Sequence, residues 1–278
     1  MSEAPLLLHG DCLDLLAALP DSSVDFVCCD PPYGITTAQW DKPLDWAAVW
    51  KELTRVCTPA GVVALFASNR FAMELYATNP RLWRYKWIWV KSQGTDFLNS
   101  RFKPLNNTEE ILVFYMGKVS ETWYEPQMKT GAAPYTKIRK PGEEISQIWG
   151  HRNGKTGTRR TGDLFNKGTR YPVQTLNFKA VSPGQRKHNC QKPADLLSHL
   201  VKSHCPGGGV VLDFCMGSGS TGVAAVSAGR RFVGMELDSE YFVTASKAVM
   251  QAWTNRCGCD EITPPLQGLN NNAKDQVL

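Results

Sequence analysis

The sequence feature that most restricts the possible folds is a glycine-rich loop between two apolar segments. An apolar run from Val210 to Phe214 predicts a strand, the pattern from Thr221 to Ala228 predicts a helix, and a second strand is predicted from Arg231 to Glu236. The loop between the first strand and the helix, Gly217 to Gly222, reads G-S-G-S-T-G. This order of strand, glycine loop, helix and acid-ended strand is typical of α/β folds that bind an adenosine-containing cofactor.

The ends of the two strands indicate which cofactor would bind. Glu236 closes the second strand, where a carboxylate can accept hydrogen bonds from two ribose hydroxyls, and glycines let the backbone come close to a ligand. These features alone suit a nicotinamide or flavin dinucleotide equally well. Asp213, in the first strand, would repel a pyrophosphate but could hold the ammonium end of a methionine moiety. The sequence therefore favours S-adenosyl-L-methionine over NAD.

The rest of the chain alternates apolar and amphipathic segments, which predicts strand–helix units on a mostly parallel sheet. Two strands, Tyr85 to Val90 and Ile111 to Tyr115, follow each other without a crossover helix, so we expect an antiparallel pair at the sheet edge. Helices are predicted from Pro193 to His204 and from Ser239 to Trp253. The fold class is therefore α/β and Rossmann-like. The N-terminal units are predicted as Leu6 to His9, Cys12 to Leu19, Val24 to Cys29, Trp46 to Cys57 and Gly61 to Ala67.

Length and composition exclude several classes of protein. With 278 residues the chain can bury a full core without disulfides, and it contains no run of about 18 apolar residues. The N-terminus lacks the basic and apolar regions of a signal peptide, so we expect a soluble, cytoplasmic protein without a membrane partner. Nine cysteines without framework spacing indicate reduced thiols, and Cys257 with Cys259 is too weak a pattern to predict a metal site.

A second constellation follows the predicted strand that ends at Cys29. Asp30, Pro31, Pro32 and Tyr33 occupy the carboxyl end of that strand, where ligands bind in open α/β sheets. Two consecutive prolines make a stiff, extended segment that can fix the Asp30 carboxylate and the Pro31 carbonyl beside the flat face of Tyr33. These four residues are the candidate catalytic residues.

An aromatic amino group is the substrate that such an arrangement suits. Its lone pair is delocalised into the ring, and two acceptors that hold its N–H bonds would turn the lone pair toward an electrophilic methyl group. Direct transfer without a covalent intermediate would follow. A base taken out of a duplex also needs a stacking partner, worth about 1–3 kcal/mol, which Tyr33 can supply. We therefore predict methyl transfer to an exocyclic amino group of a base.

Together these residues resemble one family, the amino-group DNA methyltransferases, in the circularly permuted arrangement called the β class. In that class the D-P-P-Y tetrad precedes the cofactor loop, as it does here. Gly10 and Asp11 after the first strand, and the segment from His188 to Pro193, are also similar to the family's pattern. The resemblance covers nearly the whole chain except an insert and the tail.

Two segments depart from the family's usual sequence, both on the cofactor side. Asn189 and Cys190 stand where the family usually reads H-P-T-Q-K-P, and Asp213 is followed by Phe214 and Cys215 where it usually reads D-P-F. These departures bear on individual cofactor contacts and leave the expected chemistry unchanged.

The resemblance implies a cofactor site and a division of the chain. Asp11 would bond the adenine of the cofactor, although an ordinary helix cap before Cys12 explains this residue equally well. The family's sheet has seven strands with the last one antiparallel. The implied parts are a catalytic half (1–117), a target-recognition insert (118–187), a cofactor-binding half (188–256) and a tail (257–278). The predicted cofactor-binding residues are Asp11, Cys12, Lys192, Asp213, Phe214, Met216, Gly217, Gly219, Ser220 and Glu236.

Positive charge is concentrated in the insert. Residues 118–187 contain fourteen basic and five acidic residues, a net charge of +9, whereas the rest of the chain carries −4. Basic residues interleaved with aromatic ones suit contact with the phosphates and bases of double-stranded DNA, with a solvated basic loop as the alternative. The candidate DNA-binding residues are Lys137, Arg139, Lys140, Arg152, Arg159, Arg160 and Arg170.

Several functions compete with methylation of the 6-amino group of adenine. Methylation of the 4-amino group of cytosine needs the same geometry, but family members that act there more often carry serine in place of Asp30. Methylation at carbon 5 of cytosine needs a cysteine nucleophile, commonly after proline, and the chain has no Pro-Cys pair. A silent DNA-binding protein and a dehydrogenase are further alternatives. The sequence leaves open the recognition site, a homodimer and a cognate restriction endonuclease.

Overall fold

The computed structural model describes residues 3–35, 41–137, 164–181, 184 and 191–258, without the side chains of residues 137 and 164. Strands and helices alternate along most of this length, as the sequence predicts. The strands are β1 (Leu6–His9), β2 (Val24–Cys29), β3 (Cys57–Ala67), β4 (Trp83–Thr95), β5 (Asn106–Tyr115), β6 (Tyr135–Lys137), β7 (Leu164–Asn166), β8 (Thr175–Asn177), β9 (Val210–Asp213) and β10 (Arg231–Glu236). The helices are α1 (Cys12–Ala18), α2 (Trp46–Val56), α3 (Asn69–Thr78), α4 (Ala194–His204), α5 (Ser220–Ser227) and α6 (Ser239–Cys257).

One large sheet organises the molecule, in the order β1-β10-β9-β2-β3-β5-β4-β8. All neighbouring strands are parallel except at β5, which runs antiparallel to both β3 and β4. The predicted α/β fold with a mostly parallel sheet is therefore confirmed, and so is the antiparallel pairing of β4 with β5. The sheet has eight strands where seven were expected, because the three-residue β8 pairs with β4 at the edge.

Helices cover both faces of the sheet and produce two separate cores. Consecutive residues of β2 illustrate this arrangement, since Phe26 and Cys28 face one core while Val27 and Cys29 face the other. Helices α4, α5 and α6 pack in the first core, and α1, α2 and α3 pack in the second. A parallel strand that is buried on both faces has a continuous apolar sequence, which is why β2 was recognisable.

The predicted boundaries differ from the observed ones mainly at the strand ends. Helix α3 was missed, although Phe71, Ala72 and Leu75 have the spacing of a helix with one buried face. Pro193 is the N-cap of α4 and precedes its first helical residue. Strands β4 and β5 are longer than predicted and form an extended hairpin whose turn contains the 3₁₀ helix Phe97–Asn99.

Residues 126–172 form a second, smaller compact unit inside the predicted insert. Its described part contains the antiparallel pair β6–β7 and a bridge between Lys129 and Arg170. The Arg170 guanidinium donates hydrogen bonds to Asn166, Thr169 and Ala133 and lies 4.8 Å from the ring of Tyr135. This side chain therefore links the segment that follows β7 to the segment at the start of β6. Within the described part of the chain, no helix is long and apolar enough to cross a membrane.

Candidate active site

A cleft of about 1200 Å³ opens at the carboxyl ends of the central strands, in the larger unit of the chain. In a parallel sheet this edge collects the residues that follow each strand, so side chains distant in sequence meet there. The structure brings together the tetrad Asp30 to Tyr33 and every predicted cofactor-binding residue except Gly219 as lining of this one cleft.

Glu236 and the glycine loop form the first part of the cleft. Oε2 of Glu236 accepts a hydrogen bond from the backbone N–H of Gly217 at 2.8 Å, and Oε1 accepts one from the N–H of Asp238 at 2.9 Å. Burial raises the pKa of Glu236 above its usual value, against these hydrogen bonds. A carboxylate has about four acceptor positions, so this fixed group can still accept bonds from a pair of hydroxyls.

Asp213 is buried at the end of β9 and lines the cleft just before the glycine loop. Its Oδ1 accepts a hydrogen bond from the backbone N–H of Cys215 at 3.2 Å. Burial raises the pKa of Asp213 to about 7, although a hydrogen bond from the Thr221 side chain opposes the rise. Phe214 and Met216 are buried next to it, and both line the cleft. A cationic group that entered here would meet a carboxylate shielded from water.

Asp11 and Cys12, at the start of α1, also line the cleft. Asp11 is the N-cap of α1, and its Oδ1 accepts a hydrogen bond from the N–H of Leu13 at 2.8 Å. The helix-cap interpretation of Asp11 is thus confirmed, and the same residue also lines the cleft. The thiol of Cys12 is buried, and its hydrogen bond with Cys215 raises the pKa of the Cys12 thiol.

Gly219 serves helix packing and does not line the cleft. It is the N-cap of α5 with φ of 76°, and a Cβ added there would lie 3.0 Å from the Cα and Cβ of Ala245 in α6. Ser220, which begins α5, does line the cleft. The glycine at position 219 is therefore required by a neighbouring helix, whereas the sequence pattern attributes it to the approach of a ligand.

The tetrad follows β2 and is held by its neighbours. The Tyr33 hydroxyl lies 3.0 Å from Oδ1 of Asp30 and 3.3 Å from Oε1 of Glu109, so it can donate its proton to either carboxylate. The ring of Tyr33 stacks on Phe71, with centroids 4.5 Å apart and planes inclined by 20°. Contacts at both the hydroxyl and the ring fix the orientation of Tyr33 at the cleft.

A network of charges surrounds the Asp30 carboxylate. Nζ of Lys192 lies 2.6 Å from Oδ2 of Asp30 and 2.8 Å from Oε1 of Glu109, and it lies 4.9 Å from the ring centre of Phe66. Nζ of Lys91 lies 2.8 Å from Oε2 of Glu109. Glu109 and Lys192 are both buried, and Asp30 is half-buried. The negative charges of two carboxylates are therefore neutralised by the positive charges of two ammonium groups at one end of the cleft.

Burial and charge act in opposite directions within this network. Burial, together with Glu109, raises the pKa of Asp30 above its usual value, although Lys192 and Tyr33 oppose the rise. Burial would also raise the pKa of Glu109, but Lys192 and Lys91 outweigh it and hold that pKa below its usual value. Burial would lower the pKa of Lys192, whereas the two carboxylates together raise it. The Lys192 ammonium group therefore stays protonated.

Glu109 and Lys91 are functional candidates that the sequence analysis missed. Glu109 is 76 residues from Tyr33, so the local sequence does not show their contact. The available signal is a pair of glutamates before the apolar run of β5, because a carboxylate at the start of a buried strand segment requires a partner. Lys192 was predicted as a cofactor ligand, and the structure places its ammonium group on the Asp30 carboxylate.

The predicted DNA-binding residues are largely outside the part of the chain that can be described. Arg139, Lys140, Arg152, Arg159 and Arg160 lie outside the described residues, and Lys137 is described only by its backbone in β6. Arg170 is described, and its internal bonds use part of its donor capacity while its charge is kept.

The donor set of the cleft fits an adenosine cofactor with an ammonium end. The Glu236 carboxylate is a fixed hydrogen-bond acceptor next to Gly217, which has no side chain to exclude a ligand. The Asp213 carboxylate is buried at the other end of the segment that leads into the glycine loop. No group of three or more histidine, cysteine or acidic residues suited to a metal ion occurs among the described residues. The cleft can therefore place an organic cofactor beside the Asp30 network.

Comparison with known proteins points in the same direction. A family model described as DNA methylase, of the N6 and N4 type, matches residues 24–247. The chain is 28% identical over 265 residues to the DNA adenine methyltransferase YhdJ of Escherichia coli (strain K12), across 86% of this chain and 81% of that protein.

Solved structures of low sequence identity share the fold. The M1.HpyAVI–SAM complex superposes with a TM-score of 0.57 at 22% identity, covering 88% of this chain and 98% of that one. The cytosine-N4-specific PvuII DNA methyltransferase has a TM-score of 0.60 at 14% identity, covering 92% of this chain and 93% of that one.

Proposed function

Because this chain belongs to the N6/N4 DNA methylase family, we propose that it methylates the 6-amino group of adenine in double-stranded DNA. The enzyme is a DNA methyltransferase, and its cofactor is S-adenosyl-L-methionine. The observation that carries the proposal is the Asp30 carboxylate, held by Lys192 and Tyr33 at the edge of the same cleft as Glu236 and the glycine loop.

The Asp30 network would orient the amino group of the base for methyl transfer. Asp30 is fixed at both oxygens, by Lys192 on one side and Tyr33 on the other, which leaves a carboxylate of defined orientation. In the proposed mechanism Asp30 and the carbonyl of Pro31 accept the two N–H bonds of the amino group, so that its lone pair is directed away from the base. Such preorganised acceptors need no rearrangement when positive charge develops on nitrogen.

The cofactor would lie along the glycine loop. Glu236 would accept the ribose hydroxyls, Asp213 would hold the ammonium group, and Gly217 leaves room for the ligand beside the backbone. S-adenosyl-L-methionine supplies an electrophilic methyl group when bound. Asp11, Cys12, Phe214, Met216 and Ser220 would complete the walls.

Cytosine-N4 methylation is the second candidate function. The PvuII enzyme shares the fold, and a gripped amino group requires the same arrangement on either base. The aspartate at position 30, the likeness to YhdJ and the resemblance stated above favour adenine.

We also propose the permuted, β-class order and a target-recognition role for residues 118–187. The tetrad follows β2 and the cofactor loop follows β9, which supports the permuted order. The insert carries a net charge of +9, which supports DNA contact by Lys137, Arg139, Lys140, Arg152, Arg159, Arg160 and Arg170.

Modified-base analysis of DNA from cells that express the protein tests the proposal. Hydrolysed DNA should contain N6-methyladenine, and sequencing with modified-base detection should locate it at one recognition site. Asp30→Ala should abolish the modification while S-adenosylhomocysteine still binds, and Asp14→Ala, an exposed aspartate of α1, should leave it intact. N4-methylcytosine in place of N6-methyladenine would establish the second candidate.

Tyr33 gives an additional readout of the same site. Tyr33→Ala should lose more activity than Tyr33→Phe, because stacking on a base needs only the ring. Tyr33→Phe should still be slower than wild type, since its hydroxyl lies 3.0 Å from Asp30. Equal activity of both variants would contradict the stacking role.

A further inference from the structure

The turn of the β4–β5 hairpin presents large apolar side chains to solvent. We call residues 96–105 the hairpin tip. Within it, Phe97, Leu98 and Phe102 are 76%, 94% and 87% exposed. Contact of such side chains with water is unfavourable, and a group of them in one exposed turn marks an interaction site in a folded protein.

The hairpin tip is an ordered turn whose polar groups bond to one another. The Asp96 carboxylate accepts a hydrogen bond from the Asn99 side chain at 2.6 Å and forms an ion pair with Lys103. The backbone N–H groups of Phe102 and Lys103 donate to the carbonyl of Asn99 at 2.9 and 3.1 Å. The polar groups of the turn thus bond to one another, whereas its apolar side chains are exposed to solvent. In most surface loops the polar groups are the ones that face water.

The hairpin tip continues directly from the wall of the cleft. Residues 92–96 and Asn106 line the same cleft as Asp30, so Phe97 is the first residue beyond the lining. An extruded nucleotide stays joined to its strand, so the duplex must lie at the mouth of the cleft.

We propose that Phe97, Leu98 and Phe102 enter the DNA base stack beside the target nucleotide and assist its extrusion. Apolar side chains that wedge between base steps unstack and kink a duplex. The exposed Arg101 of the same turn would contact the neighbouring phosphates, which favours DNA over a second copy of this chain as the occupant. This inference rests on the proposed function, in which a base must leave the duplex to reach Asp30.

The test compares two duplexes that differ only in the strength of pairing at the target base. One is fully paired, and the other carries a mismatch opposite the target, which lowers the cost of extrusion. The triple variant Phe97→Ser, Leu98→Ser, Phe102→Ser is compared with wild type and with Met73→Ser, a control at an apolar residue of α3 that is 75% exposed and outside both the cleft lining and the insert. Transfer of a tritiated methyl group is counted under single-turnover conditions.

On the paired duplex the triple variant should be slower than wild type by about tenfold to a hundredfold. On the mismatched duplex the difference should shrink to about threefold or less. Binding of S-adenosylhomocysteine and the melting temperature should equal those of wild type, because the replaced side chains are exposed. Met73→Ser should behave as wild type on both duplexes.

Three outcomes would overturn the inference. Equal rates of the triple variant and wild type on the paired duplex would show that the hairpin tip does not act on extrusion. An equal loss on both duplexes would give it a role other than extrusion. A wild-type dimer that the triple variant converts to monomer, seen by sedimentation, would assign the hairpin tip to a second copy. The transferred label is counted whichever base accepts it, so failure of the adenine assignment alone leaves this test intact.

Discussion

Replacing Lys192 with methionine tests whether this residue tunes the Asp30 carboxylate or binds the cofactor. The substitution keeps much of the side-chain volume and removes the charge that lies 2.6 Å from Asp30 and 2.8 Å from Glu109. Asp30 must be ionised to accept an N–H bond with either oxygen, because a protonated carboxyl is partly a donor. Loss of the neighbouring cation should therefore raise the already elevated pKa of Asp30.

The size of the effect follows from the distances. Two unit charges 2.6 Å apart attract by about 6 kcal/mol at an effective dielectric of 20, and desolvation of the ammonium group offsets part of this. A cation beside an aspartate typically lowers its pKa by about 1–3 units, or about 1.4–4 kcal/mol. The acid limb of kcat/KM should therefore move upward by about 1–3 pH units in Lys192→Met.

Stability and activity should respond to pH in opposite directions in this variant, which separates the effect from unfolding. Without Lys192, the pKa of Asp30 rises further above its unfolded value, so the folded state loses stability as the pH increases from the unfolded pKa to the folded one. Activity should instead recover as the pH increases and Asp30 ionises. Unfolding alone would make both decline together.

Single-turnover methylation across a pH series measures the shift, and titration with S-adenosylhomocysteine measures the cofactor affinity. Lys86→Met is a matched control. Lys86 pairs with Glu110, and this pair joins β4 to β5 just as the pair of Lys91 with Glu109 does. The reasoning fails if Lys192→Met and Lys86→Met have the same pH profile. A large loss of S-adenosylhomocysteine affinity with an unshifted profile would return Lys192 to the cofactor site.

Other predictions concern the cofactor side of the cleft. Glu236→Ala should weaken S-adenosylhomocysteine binding by about 1–3 kcal/mol in calorimetry, because the ribose hydroxyls lose an acceptor; unchanged affinity would sink this assignment. Gly219→Val should lower the free energy of unfolding by about 1–3 kcal/mol in a denaturant titration, because its Cβ would lie 3.0 Å from Ala245; wild-type stability would contradict the packing role. Since burial raises the pKa of Asp213 to about 7, affinity for S-adenosylhomocysteine should fall about tenfold per pH unit below that pH, as the carboxylate that holds the ammonium group becomes protonated. Asp213→Asn should remove this pH dependence, and its persistence in that variant would assign it to another group.

The sequence was sufficient for elements whose signals are local. Strands β1, β2 and β10 have the predicted ends, because each is a short apolar run bounded by turn or charged residues. The tetrad and the glycine loop meet in one cleft because both follow parallel strands, and all such strands end at the same edge. The packing contact of Gly219 could not be inferred from the sequence, since the α6 residue that it contacts is 26 positions further along the chain.

The pairing of β4 with β5 determines which of two adjacent glutamates faces the cleft, and the sequence alone does not show this. Glu109 lies opposite Trp89 in the β4–β5 ladder, and Glu110 lies opposite Ile88. Consecutive residues of a strand point to opposite faces, so the two glutamates form diagonal pairs with different lysines, Glu109 with Lys91 and Glu110 with Lys86. Both glutamates follow the same threonine and precede the same apolar run, so no local pattern separates them.

Glu109 has a role at the cleft, and Glu110 does not, because the two side chains lie on opposite faces of the sheet. Glu109 is buried and contacts Lys192, whose ammonium group bonds Asp30, whereas the Glu110 side chain is 25% exposed and pairs with a lysine that is 41% exposed. An exposed pair is worth little, because water screens it, while removal of one partner from a buried set leaves an uncompensated charge. The two adjacent glutamates should therefore differ sharply in their tolerance to substitution, and Glu109→Gln should impair methylation where Glu110→Gln does not.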